Sequence, residues 1–280
     1  MKYDVASKRL AHLGVKSLVS RFLQMEVEDS ELIEELPQET ATLRSSDFPI
    51  RVRETNGNEL IVLLEFQTPW ESDLPLRVGE YVLKFKRKYH LFVKPLVFLF
   101  RKHYSAVDFY DDGVISIRYR LMRMWEIDGK ELLEAEDPYL LPLVAAAKSG
   151  ADEIFEAERR IYSSQFEIGI KADLLTILTI FAGLKGKKIV EELLRRRRDI
   201  MIESVAYDLI KEEGIKEGTL ETTRRDILEV LEERFGVVPV RFVENVKAIG
   251  SDFVLRGLLR QSVRCDSFEE FESILKRVMS

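Results

Sequence analysis

The stretch IVLLEFQ, residues 61–67, is an apolar run of strand length that contains a carboxylate and an amide. Because side chains alternate between the two faces of a strand, Glu65 and Gln67 share one side, whereas Phe66 between them points to the other. A charge within such a run is costly unless another group pairs with it or coordinates it. The sequence therefore predicts a partner for Glu65.

The preceding segment offers that partner, because Thr55, Asn56 and Gly57 predict a β-hairpin turn after a first strand over residues 47–54. With a two-residue loop, the first residue of that strand and Glu65 lie on opposite faces. With a three-residue loop and a left-handed Gly57, they lie directly across from each other. Only this second register sets the apolar residues of the two strands against one another. It pairs Phe48 with Leu64, Ile50 with Val62, Val52 with Leu60, and Arg53 with Glu59.

The residue that this register places opposite Glu65 is Asp47. Opposed residues of an antiparallel pair have Cβ atoms about 5 Å apart, so two carboxylates there repel each other unless a cation or a proton lies between them. A divalent metal ion fits this position. The alternative is that one acid binds a neighbouring arginine or takes up a proton.

The hairpin and the residues that follow it resemble the PD-(D/E)XK nuclease superfamily. Asp47, the Glu65-Phe66-Gln67 sequence, and Arg77 and Tyr81 on the next predicted helix are carried at similar positions in its recombination-promoting nuclease and transposase branch. The resemblance covers about the first half of the chain. It departs from the superfamily pattern at one position, where a lysine is replaced by Gln67.

The resemblance implies a restriction-endonuclease-like α/β fold and a Mg²⁺-dependent DNA endonuclease, linked to recombination or transposition, with Mn²⁺ as a substitute ion. The implied ligands are Asp47, Glu65 and the backbone carbonyl of Phe66, since Mg²⁺ prefers oxygen. The implied catalytic residues are Asp47, Glu65 and Gln67, the last orienting the attacking water. Because a bound metal can itself lower the pKa of water, the loss of the lysine need not abolish hydrolysis.

A basic segment follows the hairpin and predicts contact with DNA. Residues 81–107 contain no acid and seven basic residues. The helix predicted over residues 76–89 carries a stripe at four-three-four spacing, and phosphate contacts from such a stripe supply affinity for nucleic acid. A solvated helix face is the alternative, and for the tyrosine a contact with the core. The stripe consists of Arg77, Tyr81, Lys84 and Lys88.

The remaining pattern of the first half completes a mixed sheet flanked by helices, which defines a nuclease-like domain over residues 1–140. Residues 5–22 have helical spacing, residues 95–100 read as a central strand buried on both faces, and residues 114–121 alternate like a strand near an edge. The acidic stretch 26–39 predicts an exposed segment with a helix over 30–36.

Residues 141–280 show no convincing strand pattern and predict an α-helical C-terminal region, which is a candidate surface for a homodimer. Gly236 is a predicted helix stop, and Ser267 with Glu270 fits a capping box. The predicted helices cover residues 151–170, 174–182, 187–211, 219–235, 240–249, 253–263 and 267–278.

Composition narrows the class of protein. The single Cys265 excludes an internal disulfide and a cysteine-based zinc cluster, and three histidines do not favour a histidine-rich metal site. No apolar run reaches the roughly 20 residues of a membrane span, and the first residues do not begin a signal peptide, so we expect a cytoplasmic protein. The net charge of −6 argues against a protein coated in basic residues.

Two functions remain open. The first is a metal-dependent nuclease that hydrolyses DNA phosphodiesters, and the second is an inactive nucleic-acid-binding or assembly protein on a nuclease scaffold. Gln67 divides them, because glutamine can orient groups only through hydrogen bonds whereas lysine also supplies charge. A protein that only binds nucleic acid would not need both Asp47 and Glu65 at one site. Their presence together therefore favours the enzyme.

Overall fold

The computed structural model describes residues 2–33 and 48–279, so Asp47 lies outside the described residues. The chain divides into two compact units, Met1–Asp208 and Leu209–Ser280. This division falls at a different place from the predicted change of character at residue 140, because residues 141–201 contribute buried apolar side chains to the core of the first unit.

The first unit contains a five-stranded mixed sheet and a separate two-stranded hairpin, flanked by helices. The strands are β1 (Val27–Leu32), β2 (Phe48–Glu54), β3 (Glu59–Gln67), β4 (Phe92–Leu99), β5 (Phe109–Asp111), β6 (Ser116–Arg118) and β7 (Arg120–Arg123). The sheet has the order β1-β2-β3-β4-β7, antiparallel from β1 to β3 and parallel from β3 to β7, whereas β5 pairs with β6. The predicted α/β class with a mixed sheet and a helical C-terminal region is therefore confirmed.

Helices flank this sheet in the first unit, and the second unit is helical in its described residues. The helices are α1 (Lys2–Leu23), α2 (Leu74–Tyr89), α3 (Gly129–Glu134), α4 (Ala151–Ser163), α5 (Ile168–Ala182), α6 (Lys187–Met201), α7 (Val205–Phe235), α8 (Val240–Ala248), α9 (Asp252–Arg264) and α10 (Phe268–Met279). Within the described residues, no helix is both long enough and apolar enough to span a membrane.

The β2–β3 hairpin has the predicted register. Phe48 pairs with Leu64, and five further pairs follow down to Arg53 and Glu59 beside the turn. The Glu54 amide donates to the Asn58 carbonyl at 2.9 Å, which closes a three-residue loop, and Gly57 has a φ of +87°. The apolar pattern and the glycine thus select one register, as the sequence predicted.

Strand β3 is the centre of the unit, because both of its faces are buried. Val62 and Leu64 belong to the core beneath α1 and α5, whereas Ile61 and Leu63 pack with α2. The following helix α2 crosses over to β4, which lies parallel to β3. The helix, the central strand β4 and the N-terminal helix α1 are all confirmed, with bounds that differ from the prediction by a few residues.

Two predictions in the first half are wrong. Residues 27–32 form the edge strand β1 rather than the start of the helix predicted over 30–36, because their backbone pairs with β2, with a change of register between Val27 and Asp29. Residues 34–39 of the predicted segment lie outside the described residues. Residues 114–121 do not form one strand. The Tyr119 amide donates to the Asp108 carbonyl at 3.1 Å in continuation of the β5–β6 hairpin, whereas residues from Arg120 on pair with β4 in the main sheet as β7.

The helical region follows the predicted pattern with three shifts. The helix predicted over 151–170 ends at Ser163, and α5 begins at Ile168 rather than at residue 174. The helix predicted over 187–211 ends at Met201, and α7 continues through Gly214 and Gly218, where we predicted a break. A glycine inside a helix costs only about 1 kcal/mol and does not by itself stop the helix. The expected end at Gly236 is confirmed by its φ of +84°, and the Ser267 hydroxyl accepts from the Glu270 amide at 3.2 Å.

The register predicts the effect of replacing Gly57. Gly57→Ala should lower the free energy of unfolding by about 1 kcal/mol, because a Cβ disfavours the left-handed conformation. The control is Gly169→Ala in α5, where an added Cβ meets nothing within 4 Å. Urea unfolding followed by tryptophan fluorescence measures both, since Trp70 and Trp125 lie in the first unit. Equal midpoints for the two variants would contradict the turn assignment.

Candidate active site

Glu65 lies near the carboxyl end of β3, where it is 6% exposed. The Gln67 amide nitrogen donates to Glu65 Oε1 at 2.8 Å, so the two side chains lie on one face as predicted. Strands β3, β4 and β7 are parallel, and their carboxyl ends therefore meet at the same edge of the sheet. Such edges are where ligands bind in open α/β sheets.

Arg77, in the first turns of α2, is the partner of Glu65 that the described residues contain. Its Nη2 lies 3.2 Å from Glu65 Oε1, and its Nη1 lies 2.6 Å from Glu71 Oε2 and 3.8 Å from Asp73 Oδ1. The Arg77 side chain is only 8% exposed. This arrangement matches the alternative in which one acid of the site binds an arginine.

The electrostatics of the site are dominated by these acids. Burial of Arg77 opposes its charged form, but the hydrogen bond to Glu71 and the charge of Glu65 outweigh that effect and raise the pKa of Arg77. Asp73 is a third carboxylate within ion-pair distance of the same guanidinium.

The donor chemistry at the end of β3 fits a hard divalent cation such as Mg²⁺. Gln67 and Arg77 orient the Glu65 carboxylate, and the resemblance predicts the backbone carbonyl of Phe66 as a second ligand. Within residues 2–33 and 48–279, no three His, Cys, Asp or Glu side chains are arranged to hold a metal ion. The expected carboxylate of Asp47 lies outside these residues, and its place beside Glu65 stays a prediction.

A stack of aromatic rings supports Phe66 from the opposite face of the sheet. The Phe66 ring is stacked on Phe98 at a centroid distance of 5.2 Å and on Phe100 at 6.1 Å, and the edge of Phe48 lies 6.2 Å away. Such contacts stabilise pairs beyond the burial of area. They fix the backbone that carries Glu65 and Gln67. This stack was not predicted from the sequence. Its signal in the sequence was that three strands carry aromatic residues on the face that packs against α1.

The predicted nucleic-acid stripe on α2 is split by burial. Arg77 contacts Glu65, and Tyr81 is 4% exposed and packs with Ile61, Leu63 and other apolar residues, as in the core alternative. Lys84 is half-buried and Lys88 is exposed. At 1.5 Å per residue, these lysines lie about 10 and 16 Å along the helix from Arg77. Glu71 and Asp73 were not predicted as site residues, although Asp73 has the i,i+4 spacing of a helical ion pair with Arg77.

Removing the Arg77 charge tests how strongly the stability of the first unit depends on the contact between Arg77 and Glu65. Arg77→Met should lower the free energy of unfolding by about 3 kcal/mol, because it leaves Glu65 buried without its cation. Glu71→Gln should cost less than about 1 kcal/mol, since Glu71 is 39% exposed. Adding Glu65→Gln to Arg77→Met should recover part of the loss, as measured by tryptophan-detected urea unfolding. Equal costs for Arg77→Met and Glu71→Gln, or no recovery in the double variant, would contradict the pairing.

No family model, no curated protein and no solved structure matches this chain. The resemblance to PD-(D/E)XK nucleases therefore rests on the residues themselves. The described residues bring Glu65, Gln67 and Arg77 into direct contact at the carboxyl edge of the sheet. That constellation is the candidate active site.

Proposed function

We propose that this protein is a Mg²⁺-dependent deoxyribonuclease with a restriction-endonuclease-like core. The observation that carries the proposal is the buried Glu65 carboxylate, held at the carboxyl end of β3 by Gln67 and Arg77. The hairpin register supports it, because continuing the observed pairs by one residue sets Asp47 opposite Glu65. Glu65 also lies where the carboxyl ends of the parallel strands meet, which is where ligands bind in open α/β sheets.

The proposed ligands for Mg²⁺, or for Mn²⁺ in its place, are Asp47, Glu65 and the carbonyl of Phe66. The bound ion supplies positive charge opposite the phosphate and lowers the pKa of water. Gln67 holds Glu65 through its amide nitrogen, and its carbonyl oxygen can accept a hydrogen bond from the attacking water. Arg77 is a positioning residue, because it contacts Glu65 and Glu71 from within the core.

In this proposal, DNA contacts the protein through basic side chains of α2 that are accessible to solvent. Lys88 is exposed and Lys84 is half-buried, and both suit contact with phosphate oxygens along α2. Arg77 and Tyr81 were predicted to touch the nucleic acid as well. Their burial supports an indirect role instead, in which Arg77 orients Glu65 and Tyr81 packs α2 against β3.

The two carboxylates should be required for cleavage. Glu65→Gln and Asp47→Ala should each lower the rate of Mg²⁺-dependent plasmid nicking by at least about 100-fold, a loss of about 2.7 kcal/mol on the barrier. The matched control is Glu59→Gln, which makes the same change at the other end of β3, where Glu59 pairs with Arg53. Tryptophan-detected unfolding checks that each variant folds. Nicking at the parental rate by folded Glu65→Gln and Asp47→Ala would remove these acids from the site.

Gln67 separates a working nuclease from an inactive scaffold. Gln67→Ala should slow cleavage by about 10-fold to 100-fold, or roughly 1.4 to 2.7 kcal/mol, because Glu65 loses a hydrogen bond that orients it. Gln67→Lys should keep or raise the rate, since an ammonium there also stabilises charge on the phosphate. The assay uses single-stranded, double-stranded and branched DNA with Mg²⁺, Mn²⁺ and EDTA. A parent that binds DNA but stays silent with every divalent metal on all of these substrates would favour the inactive binding protein.

A further inference from the structure

The loop that follows β4 begins beside the candidate active site. The Phe100 amide donates to the Gln67 carbonyl at 2.9 Å, and the Arg101 amide donates to the Thr68 carbonyl at 3.1 Å. Adjacent strands lie about 4.8 Å apart, so the loop starts within one strand spacing of Gln67. Any polymer whose backbone reaches Glu65 therefore passes next to this loop.

Both ends of the loop are held by the sheet. Arg123, at the carboxyl end of β7, donates to the Ala106 carbonyl at 2.9 Å, and the Tyr119 hydroxyl donates to the Val107 carbonyl at 2.5 Å. The Ala106 amide also donates back to the His103 carbonyl at 3.3 Å, which closes a turn. Hydrogen bonds at both of its ends thus hold the loop in place.

The tip combines an exposed tyrosine, stacked on the half-buried His103, with two cations. Tyr104 is 96% exposed, and its ring is stacked against His103 at a centroid distance of 4.9 Å and an angle of 20°. Arg101 and Lys102 are exposed, and within the part of the chain that the structure describes neither forms an ion pair. An exposed tyrosine ring of this kind contributes nothing to a core. It suits a flat, apolar ligand surface.

We propose that residues 101–104 bind an unpaired DNA base next to the cleavage position, with the Tyr104 ring stacked on the base and Arg101 and Lys102 on the flanking phosphates. The choice of DNA rests on the proposed nuclease function. The choice of an unpaired base rests on the ring itself, because both faces of a base inside a duplex are covered by its neighbours. Aromatic stacking with adjacent basic side chains is the general mode of binding to single strands.

Binding measured without metal tests this element independently of cleavage. Fluorescence anisotropy in EDTA compares a labelled single-stranded oligonucleotide with a blunt duplex of the same sequence. Tyr104→Ala should weaken single-strand binding about 10-fold, within the range for one stacked base, and should leave duplex binding unchanged. Tyr104→Phe keeps the ring and should bind like the parent. The control Phe92→Ala removes another exposed ring, 60% exposed at the opposite end of β4, and should change nothing.

The charges at the tip give a second readout. Replacing Arg101 and Lys102 by serine should lower the salt slope of single-strand binding by about 1.4, since each lost phosphate contact accounts for about 0.7. The same replacement of the exposed Lys187 and Lys188 in α6 removes equal charge and should leave the slope unchanged.

Several outcomes would overturn the inference. Tyr104→Ala would contradict it by binding the single strand as tightly as the parent, or by losing affinity equally for duplex and single strand. Weak single-strand binding by Tyr104→Phe would contradict it as well. So would a parent that binds an RNA strand of the same sequence more tightly than the DNA strand, or a parent that binds neither form of DNA. A parent that cuts no DNA but loses single-strand affinity through Tyr104→Ala would overturn the nuclease proposal alone. A parent that cuts DNA while Tyr104→Ala binds normally would overturn this inference alone.

Discussion

The contact between Glu65 and Arg77 joins the two elements on which the first unit is built. Glu65 ends the buried part of β3 and Arg77 lies in the first turns of α2, and both side chains are 8% exposed. Because either charge alone would be costly at that depth, the contact fixes how α2 leaves the strand before it crosses to β4. The same guanidinium reaches the partly exposed Glu71, so the buried acid is connected to the surface by one side chain.

The parallel part of the sheet determines what can meet at this place. Strands β3, β4 and β7 end at one edge, which brings together Gln67, the segment after Leu99, and Arg123. Beneath that edge, the stacked rings of Phe66, Phe98 and Phe100 pack against one another from adjacent strands. A rigid apolar layer of this kind keeps polar groups above it in place, which catalysis and binding both require.

Charge is divided between the site and its surroundings. The chain has a net charge of −6, yet residues 81–107, which run from α2 through β4 into the loop after it, contain no acid and seven basic residues. In the function proposed above, the exposed cations of α2 and of this loop are the groups that contact phosphate.

Local sequence determined the hairpin and the central elements of the fold. The alternation of apolar residues on both sides of Gly57 allowed one register, and the continuous apolar run in β4 allowed burial on both faces. These signals are local, because period and turn chemistry act within a few residues. The proximity of Glu65 and Gln67 followed from the same alternation.

Only the tertiary structure decided which charged residues are buried and where the edges of the sheet lie. The spacing of Arg77 and Lys88 on one helix could not tell which side chain faces the core, because the answer depends on the strand that α2 packs against. The acidic residues 27–32 became a strand because β2 offered them backbone partners, and residues 114–121 were divided between two sheets for the same reason. Pairing across a sheet joins residues far apart in the chain, and local propensity carries little information about it.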